Sequence, residues 1–276
     1  MSDKAYAAAE KKIAEALQTR ATGLDLSDMR LTALPESLGQ LTQLRMLNLR
    51  NNQLTALPES LGQLTQLRSL TLTANQLTTL PESLGQLTQL QELNFSNNKI
   101  SSLPESLGLL TELRILRFNE NGVSKIPTFM SRLSRLEWLV CGGNELQELP
   151  EFISKFIHLE RLYAWGIGID ALPEWVGNLN SLKLLNIHQN MIKDLPESIV
   201  KLDHLNGLRL DENPLNPELA AAYEQGLDAV KTYLRSKAKD QITLNEAKLI
   251  LIGEGEVGKS CLLDALRDEP WQSHES

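Results

Sequence analysis

The stretch LRMLNLRNNQLTALPESLGQLTQ, residues 44–66, decides the fold, because the chain repeats it with variations. Leucines that align with Leu44 recur at positions 67, 90, 113, 136, 159, 182 and 205, each 23 residues after the one before. No insertion interrupts this spacing, and a degenerate first unit from Ala21 brings the number of units to nine. A fixed period of this length is typical of repeat proteins, in which each unit stacks on its neighbours.

Each unit follows the pattern LxxLxLxxNxLxxLPxxLxxLxx. The alternation Leu47-x-Leu49 predicts a short strand with one buried face. No single unit can bury its leucines alone, but stacked units can share one continuous core. The sequence therefore predicts an α/β solenoid of the leucine-rich repeat type, in which nine strands at about 4.8 Å spacing form a curved parallel sheet.

Asparagine and proline hold fixed places in the unit. The asparagine follows the strand, and its amide can bond backbone groups that no sheet satisfies. It recurs at Asn52, Asn75, Asn98, Asn121, Asn144, Asn190 and Asn213. Met29 and Ile167 interrupt this ladder in units one and seven. The prolines at 35, 58, 81, 104, 127, 150, 173 and 196 fix the backbone after the turn and block regular helix there.

Both ends of the solenoid carry sequence that predicts helical caps. We expect a capping helix over 1–20, with Tyr6, Ala9, Ile13, Ala16 and Leu17 on one side. The repeats occupy 21–217, and 218–246 is interpreted as a second cap with a linker. There we expect one helix from Glu218 to Lys239. Its apolar stripe comprises Leu219, Tyr223, Leu227, Val230 and Leu234. Lysines and arginines between 231 and 239 would lie near its C-terminal end.

Side chains on the concave face of the predicted sheet differ between units. In the early units they are mostly small or polar, whereas units five to eight carry aromatic and basic residues. The expected cluster consists of Arg117, Trp138, Arg161, Tyr163, Trp165 and His188. Tryptophan, tyrosine and arginine are the residues most often found at interface hot spots. The cluster therefore predicts a protein-binding surface, although the aromatic rings could instead serve only to stack on one another across the sheet.

A second row of aromatic residues is predicted on or near the convex side. Units five to seven place Phe129, Phe152 and Trp175 where five other units have serine. Half-buried packing is one interpretation. Contact with another domain or subunit is the other, since contiguous exposed apolar patches usually mark an interface.

The last part of the chain contains a phosphate-binding motif. Residues Gly253, Glu254, Gly255, Glu256, Val257, Gly258, Lys259 and Ser260 match GxxxxGK[ST] in full. The apolar run Leu249–Ile252 precedes the motif and predicts a strand, and a helix-like run follows. Such a loop directs backbone amides and a helix dipole at phosphate. The motif assigns Lys259 to the β- and γ-phosphates and Ser260 to Mg²⁺.

Composition narrows the class of protein. The 276 residues carry a formal charge of −8, which argues against a nucleic-acid backbone or an anionic membrane as the main partner. The N-terminus lacks the apolar segment of a secretory signal. The two cysteines lie far apart, with no cluster at either end of the repeats, which favours a reduced, cytoplasmic protein. No catalytic motif or zinc-type spacing accompanies the phosphate-binding motif, so no catalytic residue is assigned.

The order of repeats, cap, apolar run and GEGEVGKS resembles the bacterial Roco family, whose members often carry leucine-rich repeats before a Ras-like Roc GTPase domain and a COR domain. The resemblance implies that 247–276 is the start of a Roc domain, truncated just after its phosphate-binding loop. It also implies GTP or GDP with Mg²⁺ as ligands of the intact parent. Partners of the repeats would include the parent's own Roc and COR domains, and dimers are possible. Base-reading NKxD and switch DxxG elements are missing here, so we expect this chain to bind nucleotide weakly and not to hydrolyse it.

Two other functions fit the same sequence less well. The first is a stand-alone leucine-rich scaffold for a signalling GTPase, with the phosphate-binding loop as a vestige. The second is a bacterial effector with a leucine-rich recognition domain, although such effectors often use shorter repeats.

Overall fold

A computed structural model describes the backbone of residues 2–252 and the side chains of residues 4–239. Nine three-residue strands form a single parallel sheet in sequence order. They are β1 (Gly23–Asp25), β2 (Met46–Asn48), β3 (Ser69–Thr71), β4 (Glu92–Asn94), β5 (Ile115–Arg117), β6 (Trp138–Val140), β7 (Arg161–Tyr163), β8 (Leu184–Asn186) and β9 (Gly207–Arg209). The predicted repeat solenoid is confirmed.

The sheet keeps the sequence period without slippage. Leu47 pairs with Leu24 on one side and with Leu70 on the other, so equivalent positions of neighbouring units lie side by side. The same offset holds at every other pair of strands in the sheet. Any residue on the concave face therefore has as neighbours the residues 23 positions before and after it.

A short 3₁₀ helix follows each repeat proline and forms the opposite side of the solenoid. The eight helices are Glu36–Gln40, Glu59–Gln63, Glu82–Gln86, Glu105–Leu109, Thr128–Arg132, Glu151–Lys155, Glu174–Asn178 and Glu197–Lys201. The extended backbone of each proline, such as φ −72° at Pro58, leads directly into its helix. Between the sheet and these helices the repeat leucines form one core that runs the length of the stack.

The asparagine ladder satisfies backbone groups that the sheet leaves open, as predicted. The amide nitrogen of Asn144 donates to the carbonyls of Phe118 (3.0 Å) and Cys141 (2.9 Å). Its amide oxygen accepts from the backbone N–H of Val123 at 3.1 Å. Each asparagine thereby ties its own unit to the preceding one. At Ile167, where the ladder is interrupted, the backbone N–H bonds to Asn190 of the next unit.

The residue before each ladder position has a left-handed backbone. The row consists of Asp28, Asn51, Ala74, Asn97, Glu120, Gly143, Gly166, Gln189 and Glu212, with φ between 54° and 62°. From Asp28 to Gln189 their N–H groups donate across to the next unit, as Ala74 does to the carbonyl of Ser96 at 3.0 Å. The row runs along one edge of the sheet and lies next to the concave cluster.

Phe129, Phe152 and Trp175 on the convex side are half-buried against the core. This agrees with the interpretation that they serve in packing. Serine occupies this position after Gly39, Gly62, Gly85 and Gly177, whereas Phe129 occupies it after the equally close Gly108. A Cβ at Gly62, for example, would lie 2.7 Å from the backbone oxygen of Ser83. Before Phe152 and Trp175 the preceding units carry Ser131 and Ser154 instead of glycine. A glycine in the preceding unit therefore does not by itself decide between serine and an aromatic residue at this position.

Helix α1 (Ser2–Thr19) closes the N-terminal end of the solenoid. Ala9, Ile13 and Ala16 are buried as predicted. Tyr6 and Leu17 were expected on the same side, but they are 39% and 42% exposed, so that part of the prediction is wrong. The helix packs on the strand and the 3₁₀ helix of the first repeat, and its buried stripe is narrower than the sequence pattern suggests.

The C-terminal cap consists of two helices rather than the single helix predicted. Helix α2 (Pro217–Gln225) is capped by Asn216, whose side chain accepts from the N–H of Leu219 at 2.8 Å. Helix α3 (Leu227–Ile252) follows. Gly226 separates them with φ 104° and ψ 178°, a conformation that essentially only glycine adopts. Leu219, Val230 and Leu234 are nonetheless buried in the core, as the predicted stripe requires.

Two further expectations fail because α3 is long. Lys231 and Lys237 lie inside this helix rather than at its C-terminal end, and they bond to the last repeats instead. The run Leu249–Ile252 is helical where a strand was predicted. An α-helix satisfies its backbone groups within the segment, whereas a strand needs a neighbouring strand. The phosphate-binding motif at 253–260 lies outside the described residues, as does everything after it.

Candidate partner-binding surface

Four neighbouring strands bring the six predicted concave residues together. The pairing of β6 with β7 places Trp138 beside Arg161, and the pairing of β5 with β6 places Arg117 beside Val140. All six side chains are half-buried, with one side against the sheet and the other toward solvent. We call Arg117, Trp138, Arg161, Tyr163, Trp165 and His188 the concave cluster.

Trp138 lies between two guanidinium groups. The Cζ of Arg161 lies 4.1 Å from the centroid of the Trp138 ring, and that of Arg117 lies 5.4 Å away. A guanidinium over an indole face is attracted by the ring quadrupole, by about 0.5–1 kcal/mol at an exposed site. These contacts fix the position of the indole ring while leaving its outer part accessible.

The two arginines differ in their partners. Arg117 forms an ion pair with Glu92, with 2.5 Å between Nη1 and Oε1. Arg161 has no carboxylate partner among the described residues. Its donors therefore stay available while Trp138 holds the guanidinium plane, an arrangement suited to a carboxylate or carbonyl group of a bound protein.

Trp165 is held between the repeats on either side. Its neighbour in unit six is Gly142, where a Cβ would lie only 2.2 Å from Cδ2 of the indole. Its neighbour in unit eight is His188, whose ring stacks on the indole at 5.9 Å and 9°. Tyr163 meets the indole edge-on at 6.2 Å and 90°. The indole occupies the space that a side chain at position 142 would fill.

The orientation of His188 is fixed by Asn186, the last residue of β8. Its Nδ1 lies 2.7 Å from Oδ1 of Asn186, which is buried. Because an amide oxygen only accepts, Nδ1 carries the hydrogen and Nε2 faces away from Asn186. The imidazole is thereby positioned to stack on Trp165.

Sequence reasoning found the large residues of this surface and missed three that position them. Gly142, Asn186 and Glu92 looked like ordinary polar or small concave residues. Gly142 carried a usable signal, since it places glycine directly beside a tryptophan of the next unit. The cofactor and metal residues predicted at 253–260 cannot be placed, because they lie outside the described part of the chain.

Comparison with known proteins identifies the repeat. Residues 10–121 match the family model described as a leucine-rich repeat region. The solenoid is a leucine-rich repeat domain. No match is found among curated proteins. Within the described residues no helix is long and apolar enough to cross a membrane, and no group of three metal-ligating side chains is present.

Solved leucine-rich repeat structures resemble this domain over most of its length. The ectodomain of the plant receptor kinase GASSHO1/SCHENGEN3 from Arabidopsis thaliana, in complex with CASPARIAN STRIP INTEGRITY FACTOR 2, is 30% identical, with TM-score 0.57, over 66% of this chain and 26% of that one. The Arabidopsis receptor kinase HAESA, in complex with the peptide hormone IDA and the co-receptor SERK1, is 26% identical, with TM-score 0.65, over 72% and 35%.

A bacterial structure is similar to the same extent. The functional domain of InlJ from Listeria monocytogenes is 25% identical, with TM-score 0.54, over 73% of this chain and 46% of that one. This chain spans less than half the length of each of these three structures.

Proposed function

We propose that this leucine-rich repeat domain recognises a protein partner through the concave cluster. The observation that carries the proposal is the convergence of Trp138, Trp165 and Arg161 from adjacent strands into one half-exposed patch. Aromatic anchors with arginine beside them are the common composition of interface hot spots. Two similar plant receptor structures, one in complex with CASPARIAN STRIP INTEGRITY FACTOR 2 and one with the peptide hormone IDA and the co-receptor SERK1, fit this proposal.

Stacking of the aromatic rings does not account for the free hydrogen-bond donors of the concave cluster. The rings of Trp165 and His188 do stack, and Arg161 does cover Trp138. A purely structural arrangement would leave no directional donors, yet the donors of Arg161 have no carboxylate partner among the described residues. Recognition is therefore the function that this geometry supports better.

The proposal is tested by capture of partners on immobilised protein. Proteins retained by the wild-type domain should be lost with both Trp138→Ala and Trp165→Ala. Trp175→Ala is the matched control, since it removes a tryptophan from the convex side and should leave capture intact. Unchanged capture by both concave variants, together with a lowered melting temperature, would leave only the structural role for the cluster.

We further propose that the domain belongs to a Roco-type GTP-binding protein of the cytoplasm. Support comes from the full GxxxxGK[ST] match, in which Lys259 would contact phosphate and Ser260 would bind Mg²⁺. In this proposal the intact parent binds GTP or GDP, and its Roc and COR domains are further partners of the repeats. The parent's reading frame is expected to encode DxxG and NKxD elements after residue 276. A parent without them contradicts this part and favours the stand-alone scaffold, which the helical caps at both ends of the solenoid also suit.

A further inference from the structure

Two successive glycines interrupt the row of left-handed residues beside the concave cluster. Every other unit with such a residue carries a side chain there, but units six and seven have Gly143 and Gly166. The result is a notch about two strand spacings wide, or roughly 10 Å. We call it the glycine notch; Gly143 and Gly166 form its floor, and Glu120 and Gln189 lie at its two ends.

The side chains of Glu120 and Gln189 extend into the notch from its two ends. A Cβ at Gly143 would lie 2.5 Å from Oε1 of Glu120 and 2.7 Å from its carboxyl carbon. The carboxylate of Glu120 thus occupies the space that a side chain at position 143 would fill. From the other end, Oε1 of Gln189 lies 3.6 Å from the position of a Cβ at Gly166. Both oxygens are hydrogen-bond acceptors placed over a glycine floor.

The remaining lining residues are Trp165, Gly168, Asn190, Met191 and Glu212. Trp165 lines the notch on the side of the concave cluster, and Met191, which is 58% exposed, lines it further along. Glu212 lies at the rim. Together these residues enclose an open cleft of about 620 Å³. An indole, a thioether and two carboxylates are a lining suited to a long side chain that ends in a cation.

The charge of the notch is not neutralised within the described part of the chain. Neither Glu120 nor Glu212 forms an ion pair with a lysine, arginine or histidine there. The cleft is lined by no lysine or arginine, so it offers nothing to an anion. The described residues also contain no group of three metal-ligating side chains.

We propose that the glycine notch binds a lysine or arginine side chain of a partner protein. The aliphatic stem would lie along Trp165 and Met191, and the charged head would be held by the carboxylate of Glu120 and the amide oxygen of Gln189. This inference rests on the proposed function and extends it, because Trp165 belongs to both surfaces. It gives the partner's chemistry: a basic residue that enters beside the concave cluster.

A capped peptide tests the notch without knowledge of the partner. The probe is a hexapeptide of alternating glycine and arginine, and its neutral counterpart carries citrulline in place of arginine. The indole N–H signals of ¹⁵N-tryptophan-labelled full chain are followed by NMR, with Trp165 assigned from Trp165→Phe. We expect the arginine peptide to shift the Trp165 signal saturably, and the citrulline peptide to leave it unchanged. Equal shifts with both peptides would overturn the proposal.

Two substitutions locate the binding. Glu120→Gln keeps the shape of the notch and removes one charge, so the affinity for the arginine peptide should fall roughly two- to fivefold. Gly143→Ala fills the floor and displaces the carboxylate, and it should abolish the saturable shift. Ala74 shows that alanine is accommodated at this left-handed position, and Ala74→Gly is the matched distant control, with unchanged binding. Full affinity in both notch variants would contradict the assignment.

The outcome is separable from that of the proposed function. If the arginine peptide does not bind but Trp138→Ala abolishes partner capture, the notch inference fails and recognition by the concave cluster stands. If the peptide binds at the notch while neither Trp138→Ala nor Trp165→Ala alters capture, the notch accepts a basic side chain, but partner recognition through the concave cluster fails.

Discussion

Trp165 lies against Gly142 so closely that any side chain at position 142 would displace the indole. A Cβ there would lie within 2.2–2.5 Å of three atoms of the indole ring. His188 of the following repeat stacks on the ring, so the indole cannot move toward that repeat without losing this contact. A tryptophan of the concave surface is thus oriented by the absence of a side chain in the repeat before it.

Gly142→Ala is therefore expected to disturb the concave cluster more than the addition of one methyl group suggests. The indole of Trp165 must tilt away from the sheet and lose its stacking on His188. We expect a change in tryptophan fluorescence and a stability loss of about 1–3 kcal/mol, measured by urea unfolding.

Gly122→Ala is the control for that substitution. At Gly122 a Cβ would meet only the backbone oxygen of Ile100, at 3.7 Å, which is an ordinary contact. Its fluorescence and stability should match those of the wild type. An unaltered spectrum and urea midpoint in Gly142→Ala would show that Trp165 is not held as described.

The asparagine ladder should contribute more to stability than its small polar side chains suggest. Asn144→Ala leaves two carbonyls and the N–H of Val123 without their partner in a buried environment. Because unsatisfied buried groups cost about 1–3 kcal/mol each and water can reach some of them, we expect a loss of roughly 2–4 kcal/mol. Urea unfolding followed by circular dichroism measures it.

Asn97→Ala provides the comparison for the ladder. Asn97 is exposed and left-handed, at the position where unit three already has Ala74. Its replacement should cost less than about 1 kcal/mol. Similar losses in the two variants would mean that the ladder contributes no more than ordinary surface asparagines.

The repeat sequence predicted the strands, their parallel order and the ladder, because each of these follows from a 23-residue period acting on every unit. The sequence also predicted which residues of the concave cluster lie side by side, because the constant register pairs residues that are 23 positions apart. The period could not reveal the contacts that differ from unit to unit. The close contact of Trp165 with Gly142 and that of Glu120 with Gly143 depend on side-chain rotamers.

The caps were less predictable because no repeat constrains them. Periodicity identified the buried residues Leu219 and Val230 correctly but continued one helix through Gly226. The break arises from a single backbone conformation, which the hydrophobic pattern on either side does not record. Likewise, the apolar run at 249–252 fits either a strand or a helix by composition, and periodicity alone does not separate them.

The C-terminal cap should weaken in alkaline solution through Lys237. Its ammonium donates to Oδ2 of Asp194 at 2.5 Å, and this hydrogen bond raises the pKa of Lys237. A raised pKa means that the stabilisation is complete below the unfolded-state pKa, about 10.4, and is lost as the pH rises through the folded-state value. Because both side chains are about one-third exposed, the contribution should stay below about 1 kcal/mol.

Lys237→Met isolates this contribution. The variant should unfold at a lower urea concentration than the wild type at pH 8, and the difference should shrink above the folded-state pKa of Lys237. A constant difference across this range would assign the effect to the methylene stem rather than to the charge.

Cys141 is expected to be unreactive as long as the repeats are folded. Its side chain is fully buried under the concave surface, and its thiol donates weakly to the carbonyl of Tyr163 at 3.4 Å. Burial raises the pKa of the thiol to about 12, so the reactive thiolate is scarce at pH 8. In a Cys261→Ser background, iodoacetamide should label Cys141 only after the chain is unfolded in urea, as read by mass spectrometry. Because the thiol lies beneath β6 and β7, labelling at the rate of a free thiol in native buffer would show that these strands separate readily. A concave cluster built on such strands would not be preorganised for binding.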